Sequence, residues 1–536
     1  MSWNISEALY QLGQSAVADR PALIHGDHKV SFAQLSQRAS NLAAWLQALQ
    51  LPHRAHVGHY MRNSHSYLET MTGAGFAGMS HVNVNYRYME QELADLCTSL
   101  DIHVLVYDAD FAERVSAIKD RLPTVVAFVE VGSDEPINDF AKDLDTLCST
   151  QCSNFQRNCS SDDLVIIATG GTTGLPKGVM WRHEDIWRKQ QLSTGGAMAS
   201  LKLSSHPENI EEHIANVLKL PTPQPFMPLS PLMHGAGILM AILMLAQGIP
   251  VLTVPGAKFD SNLTLDLIKH YQAGGLALVG DAFAIPLLEA LNQRAGEKLI
   301  DSVRLLVSTG ASLSENNRQG ILSHNPSIIL FDTLGSSEAS GFAMSTAEAG
   351  VFRPMPTTKV FDEEMQEVVP GSDTIGIAYS GGNIPMGYYG QPEKSAETFV
   401  EKDGKRYVMT GDRCTVREDG MLVLLGRDST VINTGGEKVY TVEVERALLD
   451  HPKITDALVV GLPHPRFGQM VVAVVEGNGL SQDNIDVADI QKHTRNKLAD
   501  YKVPREIYAI ESLQRADNGK ANYDFITAYA EKMTTA

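Results

Sequence analysis

The string ATGGTTGLPKG, Ala168 to Gly178, carries the densest concentration of reactive groups in the sequence. Its glycines let backbone amides approach an anion, its threonines add hydroxyl donors and Lys177 adds a point charge, which is the set a triphosphate requires. A Walker A loop places Gly before its Lys and Ser or Thr after it, whereas Lys177 follows Pro176 and precedes Gly178. The string is therefore expected to form a phosphate-binding loop of another frame. A bland turn would explain a lone glycine pair but not this composition directly after an apolar run.

The elements that must position this loop follow from periodicity. LVIIA (Leu164 to Ala168) reads as the buried strand that feeds it, and HVLVY, LALV, RLLVS and SIILF recur as short buried strands. Ahead of them lies the helical pattern SFAQLSQRASNLAAWLQAL, which opens on Ser31, a residue able to cap it. Strands alternating with helices predict α/β layering. Beyond Gly426 the texture resets: the helical VEVERALLD, the strands ITDALVVGL and MVVAVVEG, and a second helical run from Val487 to Leu498. A division into residues 1–426 and a smaller α+β domain over 427–536 is expected.

Downstream of the loop, PLMHGAG (Pro231 to Gly237), GSSE (Gly335 to Glu338), MGYYGQPEKSAETF (Met386 to Phe399), TGD (Thr410 to Asp412), GRDSTVINTGGEKVY (Gly426 to Tyr440) and NGK (Asn518 to Lys520) follow in order. With the phosphate loop, this series resembles the adenylate-forming superfamily of acyl-CoA synthetases, luciferases and peptide-synthetase adenylation domains. The resemblance implies a large multi-layer N-terminal adenylation domain that holds ATP and the acyl pocket, and a mobile C-terminal domain. It assigns Thr169, Gly170, Gly171, Thr172, Thr173, Gly174 and Lys177, with Gly335, Ser336 and Ser337, to ATP, and gives Thr173 a catalytic part beside Glu338 and Lys520.

Within that resemblance Glu338 is the carboxylate that holds Mg²⁺ on ATP, a hard cation suited to oxygen ligands. Asp412 accepts from the ribose hydroxyls, and Arg427 reaches the ribose or phosphates. Lys520 is the lysine that bridges the carboxylate substrate and the α-phosphate. A cation suits that place because a carboxylate attacking a phosphate brings two anions together. Gly435, Gly436 and Glu437 line the tunnel for CoA, where glycines let backbone approach a narrow ligand. The hinge position falls on Asp428 and Ser429. Two departures stand out: Leu334 replaces the aromatic that many relatives place before GSSE, and QRADNGKANY lacks the usual Pro-Arg-Thr lead-in to the lysine.

His234, where amino-acid-activating relatives carry an Asp, argues against an amino acid substrate. His234, Gly310 and Ala311 are expected at the acyl pocket. GAGILMAILML suggests an apolar pocket, and the segment from Arg188 to Pro225 is long enough for a lid over a bulky acyl group. NVNYRY, GVMWRHEDI, GSSE and NTGGEKVY are similar to the bacterial CoA ligases that activate steroid side-chain carboxylates. The reading is thus an AMP-forming acyl-CoA synthetase for a steroid side-chain acid or a medium- to long-chain fatty acid, with a smaller or aromatic acid as the alternative. A phosphoryl-transfer enzyme and a non-catalytic nucleotide sensor are disfavoured by the failed Walker pattern and by the presence of Glu338, Asp412 and Lys520.

Composition bounds these readings. The 536 residues are several times the ~150 usual for one domain. With 44 Lys and Arg against 63 Asp and Glu, the formal charge of -19 opposes a nucleic-acid partner, so ATP, the small-molecule carboxylate and CoA must all be met by local groups. Five cysteines make no disulfide framework. Cys148, Cys152 and Cys159 read as buried or idle thiols of one loop. No charged residue occurs from Pro221 to Ala257, yet Gly248 and Pro250 break the run into a helix of about eleven residues and a strand, too short to cross a ~30 Å core. The N-terminus shows no export signal, no carrier domain follows Lys520, and a cytoplasmic enzyme is expected. A homodimer is compatible with the sequence but not required by it.

Overall fold

The computed structural model describes residues 3–151, 155–171, 174–189, 207, 209–311, 313–346, 348, 350–427, 431–434, 437–465, 468–498, 500–516 and 519–535. For 170, 171, 174, 175, 427, 433, 437 and 438 only the backbone is described. By its contacts the chain divides into two compact units, Met1–Phe342 with Gly381–Val408, and Ala343–Ser380 with Met409–Ala536.

The first unit is layered α/β. Its helix Phe32–Ala48 starts at Ser31, whose hydroxyl accepts the Gln34 N–H at 3.1 Å while the Gln34 side chain accepts the Ser31 N–H at 2.8 Å. This reciprocal pair satisfies two amides that the first turn leaves without partners. One sheet runs Ile329–Ser336, Leu305–Thr309, Gly275–Leu278, Phe226–Pro228, Val251–Thr253, Pro21–His25, His28–Ser31. From the first of these to Pro21–His25 the pairing is parallel, and helices such as Ser261–Tyr271 and Gly280–Gln293 supply the apolar cover that parallel strands need. A second sheet runs Gly387–Tyr388, Gly174–Arg182, Leu164–Gly171, Ser80–Asn83, His56–Tyr60, Ile102–Asp108, Ala127–Val131, Ala141–Asp143.

The uncharged run folds as its breakers predict. Gly235–Ala246 is a helix of 12 residues, buried from Gly237 onward. Gly248 turns the chain at φ 72°, and Val251–Thr253 is a buried strand. An all-apolar helix is an interior helix, and among the described residues no helix is long and apolar enough to cross a membrane. The cysteine reading needs correction: Cys148 lies buried in the helix Leu144–Ser149, because Asp143 caps that turn and its apolar side packs inward. Cys152 lies outside the described residues.

The second unit carries two β systems. Thr358–Phe361 pairs with Gly376–Gly381, Lys405–Val416 with Leu422–Arg427, and the last of these with Val351–Pro354. A separate sheet runs Glu437–Tyr440, Val431–Thr434, Gly468–Glu476, Asp456–His464, with Glu506–Ala509 parallel on Gly468–Glu476. Its strands are covered on both faces. Ala457 and Val459 pack with Val444, Leu448 and Ile490 of the helices Thr441–Leu449 and Val487–Arg495, whereas Leu458 and Val460 pack with Ile526 and Ala530 of Tyr523–Thr535. Strand alternation sends successive side chains to opposite faces.

Candidate active site

The glycine-rich string is a hairpin and not an open loop. Leu164–Gly171 and Gly174–Arg182 run antiparallel, with Ala168 opposite Gly178, Thr169 opposite Lys177 and Gly171 opposite Gly174. Thr172 and Thr173 lie outside the described residues. Asn83 lets the strand extend this far. Its side-chain amide accepts the Ala168 N–H at 2.7 Å and donates to the Ala168 carbonyl at 3.2 Å, so it acts as a substitute strand partner. The same amide also donates to the Met233 carbonyl, which ties the hairpin to the segment leading into His234. At Gly178 the packing is close: a Cβ there would stand 2.7 Å from the end of the buried Leu100 side chain, which would have to shift.

A short strand straps this hairpin to the Glu338 loop. Gly387 and Tyr388 pair with Met180 and Val179, and the Tyr389 N–H donates to the Gly178 carbonyl at 2.8 Å. The Tyr388 hydroxyl donates to Glu338 Oε1 at 2.9 Å, and the Lys177 ammonium lies 4.7 Å from the centre of the Tyr388 ring. Trp181, on the return strand, donates its indole N–H to the Ser337 carbonyl at 2.8 Å. Two predicted site residues, Lys177 and Glu338, are thus joined through Tyr388, a residue of the quoted motif that carries no predicted role. Asn83 and Trp181 were likewise unassigned. They stand inside NVNYRY and GVMWRHEDI, but nothing local marks an amide or an indole as a brace.

The Glu338 loop is tightly wound. A Cβ on Gly335 would come within 2.5 Å of the Ser340 carbonyl, and Ser340 takes φ 53°. The Ser336 hydroxyl accepts the Ala339 N–H at 3.1 Å. Upstream on the same strand, burial pushes the Asp332 carboxyl up to about 6. His234 is the N-cap of Gly235–Ala246, and a Cβ on Gly235 would stand 3.6 Å from Ile167 and 3.7 Å from the Ser337 hydroxyl. The helix start therefore lies against both the phosphate hairpin and the Glu338 loop. Gly310, with φ 90°, ends the strand Leu305–Thr309, and Ala311 packs on the adjoining core. Of the expected lid, residues 190–206 and 208 lie outside the described residues, and Ile210–Val217 within it is a helix.

In the second unit, Asp412 is buried at 6% exposure and lies directly opposite Arg427 across the antiparallel ladder. The Thr410 hydroxyl donates to the Ala378 carbonyl at 2.8 Å and accepts the Asp412 N–H at 3.1 Å, which fixes the TGD stretch of the strand Lys405–Val416. Lys520 is exposed, on an irregular segment that is braced on both sides. Before it, Arg515 grips Asp456 through two hydrogen bonds of 2.6 and 2.7 Å. After it, the Tyr523 hydroxyl donates to buried Glu445 at 3.2 Å. Gly519, at φ 75°, makes the turn into the lysine. The departure from the usual lead-in is therefore filled by an Arg515–Asp456 fork. Asp428, Ser429, Gly435 and Gly436 lie outside the described residues, as do the side chains of Arg427 and Glu437.

Two family descriptions match the chain. Residues 13–389 match the AMP-binding enzyme family and residues 443–520 its C-terminal domain. The chain belongs to the AMP-binding enzymes. A medium/long-chain-fatty-acid/3-oxocholest-4-en-26-oate CoA ligase of Mycobacterium marinum is 37% identical over 95% of this chain and 93% of its own length. A 3-oxocholest-4-en-26-oate CoA ligase of Rhodococcus rhodochrous is 34% identical over 98% of this chain and 95% of its own. The crystal structure of the anthranilate CoA ligase AuaEII in complex with anthranoyl-AMP superposes with a TM-score of 0.84 at 21% identity, covering 100% of this chain and 98% of that one, and shows the shared fold. This AMP-binding enzyme is an ATP-dependent acyl-CoA synthetase, an acid–thiol ligase.

Proposed function

We propose that this synthetase activates a bulky hydrophobic carboxylate, a steroid side-chain acid or a medium- to long-chain fatty acid. The chemistry has two steps. A substrate carboxylate oxygen attacks the α-phosphorus of ATP, the bond to the bridging oxygen breaks and pyrophosphate leaves. The CoA sulfur then attacks the acyl carbonyl, the bond to AMP breaks, AMP leaves and the thiol proton passes to solvent. The observation that carries the reading is the joining of Lys177 and Glu338 by Tyr388 beside the glycine-rich hairpin, which puts a cation and an acid at one place. The names of the Mycobacterium and Rhodococcus relatives support the acyl class.

Each residue has a task in this scheme. Thr169 to Gly174 and Lys177 take the phosphates. Glu338 supplies a single carboxylate, which fits Mg²⁺, a cation that keeps several waters and draws its other ligands from phosphate oxygens. When bound, Mg²⁺ neutralises charge on the phosphates. Asp412 takes the ribose hydroxyls and Arg427 the ribose or phosphates. Lys520 offsets charge gathering at the α-phosphate. Gly435 to Glu437 admit the pantetheine arm, and rotation of residues 427–536 about Asp428 and Ser429 exchanges the two steps. His234, Gly310 and Ala311 border the acyl group. We assign the enzyme to the cytoplasm.

The test is carboxylate-dependent exchange of labelled pyrophosphate into ATP, run over fatty, steroid and aromatic acids. Exchange is expected to be strongest with steroid and longer fatty acids. Exchange confined to small or aromatic acids would overturn the substrate class, and no exchange with any acid would overturn the assigned chemistry.

A further inference from the structure

We infer that Tyr388 is a positioning residue for the nucleotide, with two separable parts: its hydroxyl orients the Glu338 carboxylate for the metal, and its ring holds the Lys177 ammonium for the phosphates. The inference rests on the reading of Glu338 as the metal carboxylate, and adds a residue and a division of labour to it. Among the described residues no carboxylate forms an ion pair with Lys177. Its charge rests on an aromatic face, which attracts an ammonium through the ring quadrupole without supplying an anion that a phosphate must displace. The phenol meanwhile occupies only one oxygen of Glu338, Oε1, at 2.9 Å. Oε2 is left to face a cation while the bond to Oε1 limits rotation of the group.

The surroundings of Tyr388 are built for such a task. The residue is 4% exposed, and its N–H donates to the Ser395 hydroxyl at 2.8 Å. Its ring meets Phe399 edge-on at 5.5 Å, and its backbone pairs with Val179, two residues from Lys177 on the return strand. A residue held by its backbone at two points and by its ring at Phe399 is a fixed reference point, and both Lys177 and Glu338 meet it. Joining them directly would instead neutralise each with the other.

The test measures ATP affinity of the full-length enzyme by calorimetry, once with Mg²⁺ and once with EDTA, in the absence of an acyl substrate. The ratio of the two affinities reports the metal, and the EDTA value alone reports the protein's direct grip on the phosphates. Tyr388→Phe keeps the ring and is expected to cut the Mg²⁺ ratio by about fivefold while changing the EDTA affinity by less than about twofold, the scale of one hydrogen bond to a charged group. Tyr388→Leu is expected to weaken the EDTA affinity by about threefold or more as well. Phe399→Leu serves as the packing control and is expected to leave the ratio unchanged. If Glu338→Gln collapses the ratio while Tyr388→Phe leaves it intact, the inference fails and the Glu338 reading stands. An unchanged ratio in Glu338→Gln removes both. Equal losses in Tyr388→Phe and Phe399→Leu would reduce Tyr388 to packing.

Discussion

Two lysines of this enzyme are held in opposite ways. Lys177 lies within a strand, opposite Thr169, with its ammonium over the Tyr388 ring. Lys520 has an exposed side chain, and what is fixed is the chain around it, by Arg515–Asp456 on one side and Tyr523–Glu445 on the other. A group that binds the nucleotide throughout gains from being locked before the ligand arrives, because no ordering cost then falls on binding. A group that acts in one of two steps gains from a braced base. In the proposed scheme the contrast matches ground-state binding by the first lysine and transition-state stabilisation by the second.

The largest effect should come from breaking the second arrangement. Lys520→Ala is expected to slow adenylate formation by about a thousandfold, the scale of removing one preorganised charge, while thioester formation from a supplied acyl adenylate stays near the wild-type rate. Single-turnover measurements of the two half-reactions check this, and equal damage to both would end the contrast. Lys177→Met should raise the KM for ATP by about tenfold or more with a smaller change in kcat, since its interaction serves ground and transition states alike. Arg515→Met sharpens the comparison further. It removes the brace and keeps Lys520, so a loss of roughly tenfold in adenylation with unchanged ATP affinity is expected.

A smaller effect separates the units by their response to pH. In the first unit, burial lowers His59, His183 and His213 to about 4 and His81 well below its ordinary value. Their folded values lie below the unfolded one of about 6.5, so the stability they contribute is present above that pH and is lost as pH falls towards 4. In the second unit, burial raises Glu445 to about 7. Its contribution has the opposite sense, present below about 4.5 and lost as pH rises through 7. Amide exchange at pH 5 should therefore show the first unit losing protection before the second. Glu445→Gln should raise Tm by a few degrees at pH 8 and by nothing measurable at pH 5.

Much of the fold was legible because its signals are local. Ser31 and Gln34 make a capping box from neighbours in sequence, Gly248 and Pro250 stop the apolar helix where they stand, and the alternation at Ala457 to Val460 already separates two faces. The hairpin at Ala168 to Gly178 was less legible. Glycines suggest an open loop, and what extends the strands is Asn83, an amide 85 residues away. Cys148 was misplaced for a related reason: a short helix capped by Asp143 has too few turns to leave a periodic signal.

By itself the sequence determined the order of the motifs, the kinds of group they offer and hence the reaction class, because charge, hydroxyl content and glycine content belong to each residue wherever it is placed. The tertiary structure decided which of those groups meet. Tyr388 reaches Glu338 across 50 residues and takes Lys177 onto its ring. Asp412 faces Arg427 only through strand register, and Lys520 is steadied by an ion pair spanning 59 residues. Such meetings depend on sheet order and register, which are set by packing over the whole core and leave no mark in any short stretch of chain.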